Sequence, residues 1–198
     1  MAPDPDAALM LAFQQGDEGA FRALFDRNAR AMVAFCHHFV RDAARAEELA
    51  QDVFVKLYRA RDRYRPSARF RTFLYRVASN HCLNELRRGE YAARDAAGGN
   101  GADAPADVDA VPSPHATPED EARGRALEGA VRSLLARLPE KQRAALVLCR
   151  FEGLSYEEIA DVLDTTVSAV KSLVHRATVA AAEALAPFQA APAEEVAS

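Results

Sequence analysis

Apolar residues recur along this chain at three- and four-residue intervals, and no strand-like alternation competes with that period. Leu9 and Phe13 follow Asp6, a side chain suited to starting a helix, and this first segment stops near Gly16. Asp17 offers a second start, with Phe21, Leu24, Phe25, Met32, Phe35 and Phe39 behind it as the apolar positions. Asp42 offers a third. There Leu49, Val53 and Leu57 fall on one stripe, with Ala46 and Phe54 beside it. The sequence Tyr64-Arg65-Pro66-Ser67 breaks the period. A fourth helix is predicted from about Phe70 to Arg88, carrying Phe73, Leu74, Val77 and Leu83.

The same period returns after residue 117. Thr117 and Pro118 suit the cap and first position of a helix, acids follow for its dipole, and Leu127, Val131, Leu134 and Leu138 recur at helical spacing. Pro139 opens another helix that ends near Gly153. Ser155 and Glu158 have the spacing of a capping box ahead of a short helix with Ile159 and Leu163. After Asp164-Thr165-Thr166 a last helix runs from about Ser168 to Leu185 and stops before Pro187. Between the halves, Ala92 to Thr117 is small, acidic and rich in Gly and Pro, too poor in large apolar residues to offset its ordering entropy. The pattern predicts an all-α protein. Residues 1–91 and 118–187 form two small helical domains, a flexible acidic linker (92–117) joins them, and residues 188–198 form a disordered tail.

Composition narrows the class. The chain has 198 residues, 49% hydrophobic and 27% charged, as expected of a globular protein. No apolar run nears the roughly 20 residues that span a bilayer, and the acidic N-terminus does not open like a secretory signal. The chain reads as cytoplasmic, without membrane insertion. Its three cysteines, Cys36, Cys82 and Cys149, are far apart and form no C-x-x-C pair, so they read as core or groove residues. Cys36-His37-His38 and His81-Cys82 put adjacent side chains in different directions on a helix, so neither run makes a metal face. No nucleophile set, metal set or phosphate loop stands out, so neither an enzyme nor a cofactor is expected.

The net charge of −4 conceals an asymmetry: residues 20–94 carry +8, whereas residues 95–121 carry −7. A basic block beside an acidic one suggests a nucleic-acid surface, although charge alone equally allows a solvated basic domain. The C-terminal unit LSYEEIADVLDTTVSAVKSLVHRA has the form of a helix-turn-helix. Ile159, Ala160 and Leu163 pack its first helix inward, and Val167, Val170 and Val174 bury one face of the second. That leaves Thr166, Ser168, Ala169, Lys171, Ser172, His175 and Arg176 for DNA, where Lys and Arg bond guanine or phosphate and Ser bonds either. The alternative is a helical hairpin that only packs.

The segment LPEKQRAALVLCRFEGLSYEEIADVLDTTVSAVKSLVHRA, residues 138–177, resembles the fourth region of sigma factors of the extracytoplasmic-function (ECF) group. AEELAQDVFVKLYRARDRY (46–64) and RFRTFLYRVASNHCLNELRR (69–88) resemble the second region of the same family. The resemblance implies two partners, core RNA polymerase and promoter DNA, the latter both single- and double-stranded. It assigns the minus-thirty-five element to the C-terminal domain. It assigns a contact with the polymerase clamp helices to Glu48, Gln51, Asp52, Phe54 and Lys56, with Phe54 also a candidate core residue. The loop Arg65-Pro66-Ser67-Ala68-Arg69 maps to the family's capture site for a base flipped from the minus-ten element, with Asn80 reading that base. Arg71 belongs with Tyr64, Arg65, Arg69, Phe70, Phe73, Tyr75 and Arg76 to a cluster of aromatics and arginines of the kind that holds single-stranded DNA, in which Phe73 and Phe70 read as core, and Arg76, Arg87 and Arg88 would hold phosphates. The linker would thread toward the polymerase cleft, and an anti-sigma partner is common in the family.

Departures are also visible. Asp164 stands where the family usually has Gly, and Leu173 where it usually has Arg. Lys171 and Arg176 are the recognition helix's only strong bases, which implies weak binding by this domain alone. Two rival readings remain: a dimeric regulator that binds duplex DNA without polymerase, and a helical interaction protein with no DNA role.

Overall fold

Each of the first three helices begins on an aspartate whose carboxylate accepts from backbone N–H groups of the first turn: Asp4, Asp17 and Asp42. The computed structural model describes residues 4–40, 42–66, 68–95 and 117–189. The helices are α1 (Pro5–Gln14), α2 (Glu18–His37), α3 (Ala43–Arg59), α4 (Phe70–Asp95), α5 (Pro118–Arg137), α6 (Glu140–Arg150), α7 (Tyr156–Leu163) and α8 (Val167–Gln189), with a 3-10 turn at Arg61–Arg63 before α4. There is no strand among the described residues.

Four local expectations change. Asp4, not Asp6, caps α1, because Pro5 has no N–H to donate and suits the first helical position. Asp6 lies in the first turn and pairs with Arg27 at 2.8 Å. Helix α4 continues past Arg88 to Asp95, since Ala92 and Ala93 favour helix and no proline stands in the way. The first four residues read as linker are therefore helical, and 96–116 lie outside the described residues. Helix α8 runs through Pro187 to Gln189. The carbonyl of Phe188 at that end accepts from Arg123 of α5, at 3.3 Å. The rest of the segment read as a tail, 190–198, lies outside the described residues.

In the N-terminal half, α2 packs on α1 and α3, and α4 lies across α2 and α3. The Leu49, Val53 and Leu57 stripe is fully buried, as are Phe13, Leu24, Met32, Phe35 and Leu74. Burying one such side chain contributes about 1.5–3 kcal/mol. Cys36 and Cys82 meet inside this core, sulfur to sulfur at 3.7 Å. Their shared hydrogen bond and burial hold the Cys82 thiol well above its ordinary pKa, so both are packing residues. In the C-terminal half, α8 packs on α5, α6 and α7. The Ser155 capping box forms as the spacing predicts. Val162 takes the buried place expected of Leu163, which is half-buried. Asp164 closes α7 in the left-handed region, φ 49°, a conformation that glycine adopts freely and Asp tolerates better than most residues.

The halves also pack together. Helix α4 lies against α7 and α6. From α6, the largely buried Arg143 donates to the Phe39 carbonyl at 3.2 Å and to the Ala136 carbonyl at 3.0 Å. His38 stacks on Phe151 with ring centres 4.2 Å apart. Burial, then the neighbouring His37, pushes the His38 pKa down to about 4. His37 is lowered as well, by burial and by Arg132.

An unfolded histidine titrates near 6.5, so between about 4 and 6.5 the unfolded chain binds protons that the folded chain does not. The stabilisation is complete above that window and is lost as pH falls through it, on the order of 2 kcal/mol for partly buried His38. Thermal melting at pH 7.5 and pH 5 should show this loss, and His38→Gln should shrink it. Equal pH dependence in both proteins would show that His38 is not responsible.

Candidate polymerase and nucleic-acid interfaces

Two faces of the N-terminal half depart from an ordinary solvated surface. The first lies where α2 and α3 meet. The buried stripe turns α3 inward, yet Val55 and Tyr58 sit off that stripe and stay exposed, Val55 by 45%. Phe25 of α2 is 39% exposed rather than core, and packs edge-on against Phe54 at 4.7 Å. Phe21 meets Tyr58 edge-on at 5.2 Å. These rings, with Gln51 and Arg59, line an apolar groove of about 380 Å³. Phe54 is nearly buried and forms its floor.

The other polymerase candidates flank this groove. Glu48, Gln51, Asp52 and Lys56 are exposed. Glu48 pairs with Arg45 at 2.6 Å, and the same guanidinium also binds Glu85 of α4. Asp52 reaches His81 of α4 at 3.2 Å. Burial and then Lys56 lower the His81 pKa. Sequence reasoning missed Phe21, Phe25, Val55 and Tyr58 as groove residues. The available signal was an apolar residue lying off its helix's buried stripe.

The second face is α4 with the loop before it. Arg65, Arg69, Arg71, Arg76, Asn80, Arg87 and Arg88 are all exposed, and Ser67 lies outside the described residues. The rings beside them mostly face the core, as helical spacing requires for Phe73 and Phe70. Tyr64, Phe70 and Tyr75 are buried, and Phe73 is half-buried against the core. Tyr64 meets Phe73 edge-on at 5.1 Å and anchors the loop.

Three of the arginines already have acidic or carbonyl partners in the C-terminal half. Arg71 donates to the carbonyl and carboxylate of Glu152, Arg76 to the Asp161 carbonyl at 2.9 Å, and Arg87 to the Glu140 carboxylate at 3.0 Å. The Tyr75 hydroxyl also donates to Glu152. Burial, then that hydrogen bond, raises the Tyr75 pKa, so the donor keeps its proton.

On α8, Thr166, Ser168, Lys171, Ser172, His175 and Arg176 form an exposed row, with Val170 and Val174 buried behind it. The Thr166 hydroxyl accepts from the Ala169 N–H at 3.2 Å and so starts the helix. Ser172 donates to the Ser168 carbonyl at 3.1 Å. Lys171 and Arg176 have no acidic partner among the described residues. The α7–turn–α8 unit thus offers its recognition helix to solvent, while α4 offers only part of its basic surface.

The family model for Sigma-70 region 2 matches residues 24–90, and that for Sigma-70, region 4 matches residues 128–179. The chain is 35% identical to the RNA polymerase sigma-H factor of Pseudomonas aeruginosa, over 95% of this chain and 97% of that one. It is 34% identical to the ECF RNA polymerase sigma-E factor of Haemophilus influenzae, over 87% of this chain and 90% of that one. Among solved structures, CnrH in complex with the cytosolic domain of CnrY superposes with a TM-score of 0.65 at 26% identity, over 94% of this chain and 99% of that one. The chain belongs to the ECF sigma factors, which bind RNA polymerase and direct it to promoters for transcription initiation.

Proposed function

We propose a division of labour among three surfaces. The groove between α2 and α3 docks on core polymerase, the loop 65–69 with Asn80 captures an unpaired base of the minus-ten element, and the exposed row of α8 reads the minus-thirty-five duplex. The observation that carries this reading is the separation of chemistries. An apolar groove of about 380 Å³ lies on one side of the N-terminal bundle, and exposed arginines with the exposed amides of Asn80 and Asn84 line the α4 side. Apolar surface suits a protein partner, whereas arginines and a two-way hydrogen-bonding amide suit a strand with splayed bases. The steps are binding steps, and no covalent chemistry is assigned to the chain. Captured bases favour melted over paired DNA because only the melted form offers them.

The contacts of Arg71, Arg76 and Arg87 add a condition. A carboxylate or carbonyl and a phosphate compete for the same face of a guanidinium, so the contacts with Glu152, Asp161 and Glu140 oppose a DNA strand on these arginines. In this reading the halves part as α4 takes DNA, and polymerase binding favours the separation. A protein partner of the kind that CnrY is to CnrH would have the same groove and the same basic face to choose from.

Three outcomes test this reading. Val55→Glu places a charge in the groove and should weaken binding to core polymerase about tenfold, some 1.4 kcal/mol, with little change in melting temperature. Fluorescence anisotropy against labelled core enzyme would read it, and wild-type affinity would remove the groove from the interface. Asn80→Ala should reduce run-off transcription from cognate promoters about tenfold or more while leaving polymerase binding intact; full transcription would end the base-capture role. Glu152→Lys should open the free protein, raising its radius of gyration in small-angle X-ray scattering and its affinity for single-stranded minus-ten DNA several-fold. If neither changed, the contact between the halves would not restrain α4.

A further inference from the structure

We infer that Asp4 and Gln14, at opposite ends of α1, are positioning residues for the loop 65–69. This rests on the reading of that loop as the base-capturing element. The two residues grip the loop's two ends. One oxygen of the Asp4 carboxylate accepts from the N–H groups of Asp6 and Ala7 at 3.1 and 3.3 Å, and starts α1. The other accepts from the Phe70 N–H at 2.8 Å. Phe70 opens α4, so its N–H is one of the donors a helix start leaves without an internal partner. A single carboxylate thus joins the first turns of two helices, 66 positions apart in sequence. At the far end of α1, the Gln14 amide donates to the carbonyls of Arg61 and Tyr64, the latter at 3.0 Å.

Arg65, Pro66, Ala68 and Arg69 are exposed, whereas Tyr64 and Phe70 on either side are buried to 1%. Arg65 turns back onto the carbonyls of Asp62 and Tyr64, at 3.0 and 2.9 Å, and so reinforces the entry to the loop. A short loop fixed at both ends loses less freedom when it closes on a ligand, so more of the contact energy appears as affinity and discrimination. Met10 and Phe13, fully buried, already seat α1 on the bundle, so the polar pins are not needed to attach it. Their direction, toward the two ends of one exposed loop, is what assigns them a role in reading DNA.

The test uses holoenzyme and a promoter library randomised across the minus-ten element. Asp4→Asn keeps the shape but weakens the shared acceptor; Gln14→Glu keeps the shape and removes the donor. Each should lower the preference for the favoured base at the captured position about five- to tenfold. Polymerase affinity and binding to minus-thirty-five duplex should stay at wild-type level. Amide hydrogen exchange in the free protein should speed up about tenfold at Phe70 and the loop, and not in α2 or α3. A residue that only stabilised the fold would lower output on all templates equally and leave the base preference untouched, and that result would overturn the inference. If one variant fails to fold, the other pins the opposite end and carries the test. Arg69→Ala separates base capture from loop positioning. If it changes the base preference and the pin variants do not, the positioning role is wrong and the capture loop stands. If it leaves the preference unchanged, the capture reading falls and the positioning role with it.

Discussion

The molecule depends on how α4 divides its surface. One side of this helix closes the N-terminal core with Phe70, Leu74, Ala78 and Cys82, all buried. A second side carries arginines that bond to the C-terminal half. The remainder stays open to solvent at Asn80 and Arg88. A helix repeats every 3.6 residues, so 26 residues give about seven turns in which to share three neighbours. Few positions on it are spare. That constraint places the basic residues of α4 against Glu140 of α6, Glu152 between α6 and α7, and the Asp161 carbonyl within α7. These arginines stay exposed while they bond, so the C-terminal half offers oxygens to donors that water would otherwise meet.

Much of the fold was legible because helical periodicity is local. The Leu49, Val53, Leu57 stripe, the Asp17 and Asp42 caps and the Ser155–Glu158 box all depend on residues within a few positions of one another. The errors have local causes too. Pro5 moved the first cap from Asp6 to Asp4, and alanines carried α4 beyond Arg88. Phe25 has the spacing of a core position, yet the placement of α3 leaves that ring 39% exposed.

The candidate sites divide in the same way. Exposure of Gln51, Lys56, Asn80, Lys171 and Arg176 follows from which stripe of each helix is apolar. Contacts between distant segments have no such signature. Glu152 reads as an ordinary acid near a helix end, yet it receives both Arg71 and Tyr75 from about eighty positions away. Gln14 and Asp4 read as polar ends of a short helix, and their partners lie beyond α3. No period or motif encodes such pairs; three-dimensional packing creates them.

The left-handed backbone at Asp164 has a consequence for how specificity can diversify. A side chain branched at Cβ is strongly disfavoured there, so mutation at this corner is filtered by backbone sterics before any encounter with DNA. The corner sets the angle at which α8 leaves α7. On the proposed reading of α8, target preference is therefore expected to change through solvent-facing side chains such as Ser168, Lys171 and Ser172, with the joint beneath them kept fixed.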